Sequence, residues 1–148
     1  MRNLLFPLLL AAVPLLCQAS DEKDAAATVQ KLFDGMAGHD AAMIRATVLA
    51  DARLYSVRDQ SAPASMPIED FLTRIASIQG DLLEHFTSAP QVLIHGRTAQ
   101  VWGEYEFRHS GQFSHCGVDS VSLLKTAEGW KIASIVYTAE TTGCKGSR

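Results

Sequence analysis

The change in hydrophobic period at Gly80 constrains the fold more than any other feature of this sequence. Before Gly80, apolar residues recur at three- and four-residue steps, as they do on one face of a helix. After it, short segments rich in β-branched and aromatic residues are separated by turn signals, which is typical of strands. Helices followed by a meander of strands predict an α+β domain, with about three N-terminal helices packed on a curved antiparallel sheet. The predicted strands are residues 53–58, 82–86, 91–95, 99–109, 113–125 and 130–140.

Three helices are expected in the first half of the chain. The first spans residues 21–37, with Ser20 or Asp21 as its cap. Asp40 is a typical N-cap for a second, shorter helix, and Pro67 suits the first turn of a third helix that Gly80 closes. The segment between the first strand and Pro67, QSAPASMP, has the composition of a loop. The apolar face of the first helix is formed by Ala26, Val29, Leu32, Phe33 and Met36.

The N-terminus has the layout of a secretory signal peptide. One basic residue, Arg2, precedes an apolar run from Leu4 to Leu16, and small and polar residues follow that run. We therefore expect residues 1–20 to be removed, and residues 21–148 to form a single domain of an exported protein, periplasmic or secreted. A lipid anchor on Cys17 is the alternative, but Leu16 stands where such signals require a small residue.

The cysteine count favours a structural disulfide. Cys17 leaves with the predicted signal peptide, so only Cys116 and Cys144 remain. An even pair in an exported chain is typical of a disulfide, whereas a reactive thiol is the less favoured alternative. The only asparagine is Asn3, so the domain has no N-glycosylation site.

Charge and motif content exclude several classes of partner. Loss of Arg2 with the leader changes the formal net charge from −3 to −4, and no basic cluster occurs. An acidic chain of this kind predicts neither nucleic acid nor anionic membrane as a partner. His85, His95 and His109 are scattered without metal-ligand spacing, so no metal is expected. No phosphate-binding or dinucleotide-binding glycine motif occurs either, and no cofactor is expected.

Three segments carry a resemblance to a known family: AQVWGEYEF at 99–107, SGQFSHCGVDSVSLL at 110–124, and GWKIASIVYT at 129–138. With LLEHF at 82–86 and the helical first half, the chain resembles the exported branch of the NTF2-like superfamily. It is most similar to the groups named SnoaL-like and "putative lumazine-binding". The resemblance implies a cone-shaped α+β fold around a pocket, in a superfamily that includes isomerases, cyclases, dehydratases and binding modules.

Strand alternation assigns the residues of the segment HCGVD to opposite faces of the sheet. His115 and Cys116 are adjacent, so they cannot form a catalytic dyad. A two-residue turn at Ser110 and Gly111 would place Glu106 opposite His115 and Trp102 opposite Asp119. The second turn would place Leu124 opposite Ile132 and Asp119 opposite Tyr137. The candidate ligand-binding residues on this face are Trp102, Glu106, His115, Asp119 and Tyr137, with Tyr55 as a weaker candidate.

Three hypotheses for the function remain open at this stage. The first is binding of a small apolar or aromatic molecule in the pocket, because an apolar wall with a few polar groups is typical of a ligand site. The second is a SnoaL-like isomerase, cyclase or dehydratase in which Asp119 or His115 acts as general acid–base. The third is a pocketless interaction module whose polar sheet face is buried in a dimer. A homodimer is expected in any of these cases.

Overall fold

The computed structural model describes residues 14–144, with side chains from Ser20 onward. Three helices pack against a curved, unclosed sheet of seven strands in this range, so the predicted α+β class is confirmed. No helix within the described range is long and apolar enough to cross a membrane. In chain order the elements are α1 (Pro14–Ala37), α2 (Ala41–Thr47), β1 (Val48–Arg58), β2 (Ala64–Pro67), α3 (Ile68–Ser77), β3 (Leu82–Phe86), β4 (Gln91–His95), β5 (Thr98–His109), β6 (Gln112–Thr126) and β7 (Gly129–Ala139).

The first helix begins earlier than the sequence indicated. Because α1 starts at Pro14, the cap predicted at Ser20 or Asp21 is wrong, and the helix runs through the cleavage point predicted there. The rest of the predicted signal peptide, residues 1–13, lies outside the described residues, as do residues 145–148. The apolar face is largely as expected, with Val29, Leu32, Phe33 and Met36 buried, but Ala25 is buried and the predicted Ala26 is only half-buried.

The two shorter helices are fixed by local contacts. The Asp40 carboxylate accepts a hydrogen bond from the Met43 amide at 2.8 Å, which confirms the predicted N-cap of α2. Ile68, Leu72 and Ile75 bury one face of α3. The imidazole of His39 contacts the carbonyl oxygens of Ile75 and Gly80, each at 2.9 Å, and so ties the end of α3 to the turn after α1.

The sheet is mixed rather than antiparallel throughout. Its order is β2-β1-β7-β6-β5-β3, with β4 also paired to β5, and the β1–β7 pair is parallel. No hairpin links β1 to β7, so no turn signal in the sequence fixes their relative direction. Part of the segment predicted as a loop also pairs with the sheet, because Ala64–Pro67 forms β2 against β1.

The turn at Ser110 and Gly111 is present, but the register it predicts persists for only two pairs. His109 pairs with Gln112 and Arg108 with Phe113, and then Phe107 pairs with His115, so Ser114 is an extra residue in β6. This β-bulge shifts the rest of β5 by one residue, and the predicted pairs Glu106–His115 and Trp102–Asp119 are wrong. Asp119 instead lies opposite Gly103.

The β6–β7 hairpin contains a second bulge. Here the predicted pairing is wrong near the turn and correct beyond the bulge. Near the turn Leu124 pairs with Lys131, so the predicted Leu124–Ile132 pair is wrong. A register shift between Ser122 and Leu123 then restores the predicted pairing, and Asp119 lies opposite Tyr137 as expected.

A disulfide joins Cys116 to Cys144, across a sequence separation of 28 residues. Cys116 also exchanges two backbone hydrogen bonds with Glu140, so the segment after β7 is held against the start of β6. The tail therefore lies beside β6 on the face opposite to His115, because adjacent residues of a strand point to opposite faces.

Candidate functional site

A cavity of about 610 Å³ lies between the inner face of the sheet and the helices. Its walls are mainly apolar, with contributions from α1, α3, β1 and the central strands. The apolar residues that line it include Leu32, Phe33, Met36, Leu54, Phe71, Ile75, Ile78, Val121 and Ile135. Most of them belong to, or pack against, the main hydrophobic core, so the cavity is an opening in the core rather than a surface groove.

Two carboxyl groups meet in this cavity. Asp119 on β6 is 2% exposed, and its Oδ2 atom has no hydrogen-bond partner among the described residues. Glu84 on β3 also lines the cavity, and its carboxyl group is hydrogen-bonded to that of Asp119. Two carboxyl groups in contact cannot both be ionised without strong repulsion, so at least one of them is protonated at neutral pH.

Burial is the main cause of the raised pKa of both carboxyl groups. It raises the pKa of Asp119 to about 7, while the hydrogen bond from Glu84 acts in the opposite direction. Burial, followed by the charge and hydrogen bond of Asp119, raises the pKa of Glu84 well above its ordinary value. We therefore assign the shared proton to Glu84, which donates it to the Asp119 carboxylate and leaves Asp119 Oδ2 as an unpaired acceptor.

His115 lines the same cavity and is held neutral there. Its ring packs against Phe107, with centroids 5.0 Å apart, and meets Tyr105 edge to face at 5.8 Å. Its Nδ1 is hydrogen-bonded to the Ser114 hydroxyl at 3.0 Å. Burial first and the Arg58 charge second lower its pKa to about 4. A neutral imidazole can accept or donate a hydrogen bond here, but it supplies no positive charge at neutral pH.

Gly117 makes room for a cross-strand hydrogen bond at the base of the cavity. It lies opposite Tyr105, whose hydroxyl donates to the Thr138 carbonyl oxygen of β7 at 2.7 Å. A Cβ at position 117 would lie 2.1 Å from that same oxygen. The glycine in the HCGVD segment therefore allows Tyr105 to reach across β6, and burial raises the pKa of Tyr105, which keeps the hydroxyl protonated.

The structure divides the six predicted ligand-binding residues into two groups. His115, Asp119 and Tyr137 line the cavity, whereas Trp102, Glu106 and Tyr55 do not. The bulge at Ser114 explains why Trp102 and Glu106 do not line the cavity. The one-residue shift turns both to the outer face and turns Tyr105 and Phe107 inward. Glu106 forms a 2.6 Å ion pair with Arg108 rather than a contact with His115. Whether any of the six binds a ligand stays a prediction.

Sequence reasoning missed Glu84 and Tyr105. A signal for Glu84 was present, because Leu82, Glu84 and Phe86 alternate with the exposed Leu83 and His85. An acid placed between two inward apolar residues of a strand is itself expected to face the core. The predicted pairing of Trp102 with Asp119 would turn Tyr105 to the other face, so Tyr105 was not among the candidates. Among the described residues, no group of three or more His, Cys, Asp or Glu side chains could hold a metal ion.

The sequence profile of the family described as "Putative lumazine-binding" matches residues 20–138. The chain belongs to this family. Its fold is that of NTF2-like proteins, as solved structures show. An NTF2-like protein with a cystatin-like fold from Novosphingobium aromaticivorans has a TM-score of 0.70 at 16% identity, covering 90% of each chain.

Two further structures of NTF2-like proteins have the same fold. A superfamily protein from Salmonella enterica serovar Typhimurium has a TM-score of 0.69 at 12% identity, covering 88% of this chain and 99% of that one. A protein described as "a putative dehydratase from the NTF2-like family" from Streptomyces avermitilis has a TM-score of 0.67 at 18% identity, covering 82% and 97%. No curated protein matches the sequence.

The buried state of Asp119 predicts a distinctive pH dependence of stability. Its pKa is raised by folding from 3.8 to about 7, so the folded state binds the proton more tightly and stability falls as pH rises through that window. Replacing Asp119 by Asn removes the charge. We expect the free energy of unfolding of this family member to increase by roughly 1–4 kcal/mol at pH 8, since one pKa unit corresponds to about 1.4 kcal/mol.

Urea denaturation at pH 5 and pH 8 measures this effect. His115 contributes in the opposite sense between about pH 4 and 6.5, because its pKa is lowered, so the variant must be compared with the wild type at each pH. Asp51→Asn, which alters an exposed carboxyl on β1, is the matched control. An Asp119→Asn protein with the same pH slope as the wild type would contradict the assignment.

Proposed function

We propose that this domain binds a small, largely apolar or aromatic molecule in the cavity between the sheet and the helices. The observation that carries the proposal is the cavity itself, since its volume of about 610 Å³ is typical of sites for small ligands. An unfilled apolar space of this size forfeits packing energy in the core. Retention of such a space is therefore consistent with a site that a ligand fills.

The polar groups of the cavity support the same proposal. Buried polar atoms are almost always hydrogen-bonded, and Asp119 Oδ2 is an exception among the described residues. None of the described side chains that line the cavity donates a hydrogen bond to it. A ligand that donates a hydrogen bond would remove the cost of leaving this oxygen without a partner.

Acid–base catalysis is the second candidate, and the carboxyl pair favours it. A base with a pKa near neutrality is suited to taking a proton from a bound substrate, and the neighbouring Glu84 can return one. This assigns the acid–base role to Asp119 with Glu84, rather than to His115. In deuterated buffer, exchange of the α-protons of 2-tetralone that requires Asp119 would favour catalysis over binding alone.

We also propose that the outer face of the sheet forms a homodimer. A row of partnered residues crosses five strands, namely Tyr55, Val136, Ser120, Trp102 and Gln91, and none is charged. Every exposed large apolar residue of the described range lies on this outer face: Tyr55, Leu83, Leu93, Trp102, Leu124 and Val136. Interface centres are likewise depleted of charge and enriched in aromatic residues.

The size of this face supports a second copy of the chain as its partner. The face is five strands wide, at about 4.8 Å per strand, and extends about 27 Å along β5. Its area is therefore on the order of 600 Å², close to what each partner buries in a stable complex. A two-fold axis through an uncharged patch makes the patch complementary to itself.

Export is proposed on two grounds. The N-terminal residues have the composition of a signal peptide, and a disulfide between Cys116 and Cys144 suits an oxidising compartment. Cells expressing the full sequence are expected to yield an extracytoplasmic chain that begins at Ser20 or Asp21, as measured by mass spectrometry and N-terminal sequencing. A full-length chain retained in the cytoplasm would contradict export.

Ligand binding is tested with 1-anilinonaphthalene-8-sulfonate, an anionic probe with an aromatic body whose fluorescence rises in apolar sites. Ser56 is half-buried and lines the cavity, so Ser56→Phe is expected to fill part of the space and weaken binding at least tenfold. The matched control is Ser134→Phe on the outer face of the neighbouring strand, which should bind as the wild type does. Equal binding by both variants would exclude the cavity as the site.

The dimer is tested by placing a charge in the centre of the outer row. Val136→Asp buries a carboxylate in the proposed interface, so we expect sedimentation analysis to show a monomer where the wild type is a dimer. The control is Ala76→Asp on the exposed side of α3. A monomeric wild-type protein at high concentration would overturn this proposal.

A further inference from the structure

The cavity has two chemically different ends. The buried end contains Asp119, and Glu84 contacts it there. The exposed residues that line the cavity mark its mouth, and they are Arg58, Ala64, Ser65, Arg74 and His109. No carboxylate is among these exposed lining residues, although the whole chain carries a net charge of −3. The mouth is therefore positively charged on an acidic protein.

The two arginines approach the mouth from different elements. Arg58 ends β1, and Arg74 lies in the last turn of α3. Within the described residues, neither guanidinium group takes part in an ion pair. Asp59, which follows Arg58 in the sequence, uses its carboxylate to accept hydrogen bonds from Thr141, including one from the backbone amide at 3.1 Å. Two guanidinium groups at one opening therefore remain available to an anion.

The buried end requires the opposite chemistry. Asp119 Oδ2 lacks a partner, although the Asp119 carboxyl group is hydrogen-bonded to that of Glu84. A ligand atom that reaches this oxygen must donate a hydrogen bond, so a hydroxyl or an N–H group fits and a second carboxylate does not. The walls between the two ends are mainly apolar.

From this arrangement we infer that the ligand is an apolar acid: its anionic group lies between Arg58 and Arg74 at the mouth, an aromatic or aliphatic body fills the cavity, and a hydroxyl or N–H at the far end donates to Asp119. The inference rests on the proposed binding function and deepens it. It names the charge of the ligand and the polarity of each end. Planar guanidinium groups bind carboxylates with two parallel hydrogen bonds, so a carboxylate suits this mouth best.

Three naphthalene compounds measure separately what the two ends of the cavity contribute to affinity, in calorimetric titrations of the wild-type protein. They are 6-hydroxy-2-naphthoate, 2-naphthoate and 2-naphthol, which share one apolar body. The hydroxy acid is expected to bind about tenfold more tightly than 2-naphthoate, because a buried hydrogen bond to a charged group contributes that much. The affinity of both acids, but not that of 2-naphthol, is expected to fall as salt is added.

Variants then test which residues contact the anionic end of the ligand and which contact its hydroxyl end. Arg58→Gln combined with Arg74→Gln is expected to weaken both acids at least tenfold and to leave 2-naphthol within about twofold, since only the anionic contact is lost. Asp119→Ala removes the acceptor, so it should abolish the difference between the hydroxy acid and 2-naphthoate. Arg97→Gln, between β4 and β5 and outside the cavity lining, is the matched control for loss of a positive charge.

The outcomes distinguish this inference from the proposed function. If 2-naphthol binds the wild type as tightly as either acid, or if the double arginine variant leaves the acids unchanged, the inference fails and binding in the cavity stands. If none of the three compounds binds and none displaces 1-anilinonaphthalene-8-sulfonate, both fail. These wild-type measurements decide the matter even where a variant does not fold.

Discussion

The extra residue that β6 inserts opposite β5 determines which side chains face the cavity. Side chains of a strand alternate with a period of two, so a single inserted residue exchanges the two faces of every residue beyond it. The bulge at Ser114 turns Tyr105 and Phe107 inward against His115, and turns Trp102 and Glu106 outward. Bulges are frequent beside functional sites for this reason, because they redirect side chains without breaking the sheet.

The base of the cavity depends on two glycines that the bulge brings into place. Gly117 lets Tyr105 reach the Thr138 carbonyl oxygen, and Gly103 lies opposite Asp119. A Cβ at Gly103 would lie 2.7 Å from the ring of Phe86, which packs at 5.2 Å on Phe33 of α1. The Phe86 side chain of β3 therefore lies against Gly103 of β5, the strand to which β3 is paired. Glu84, on β3, can then meet Asp119 although their strands are not neighbours in the sheet.

Local signals in the sequence predicted most of the elements, and contacts between distant segments account for the rest. The N-cap at Asp40, the turn at Ser110 and the bounds of β3 and β4 follow from residues within a few positions of each other. The parallel β1–β7 pair, the strand β2 and the contact of Glu84 with Asp119 join residues more distant in the chain. No periodicity encodes such pairings. Of the predicted site, only His115, Asp119 and Tyr137 line the cavity.

The two faces of β6 have separate physical roles. The outer face carries the disulfide, and the inner face lines the cavity. Cys116 points outward, where its disulfide with Cys144 constrains the unfolded chain and holds the tail away from the cavity. Asp119 points inward, where burial of a carboxyl group with an unpaired oxygen costs stability. A strand that carries such a cost needs stabilisation that does not fill the cavity. The outward disulfide supplies it, because cross-linking the tail to the far face adds stability without adding a side chain to the space that Asp119 faces.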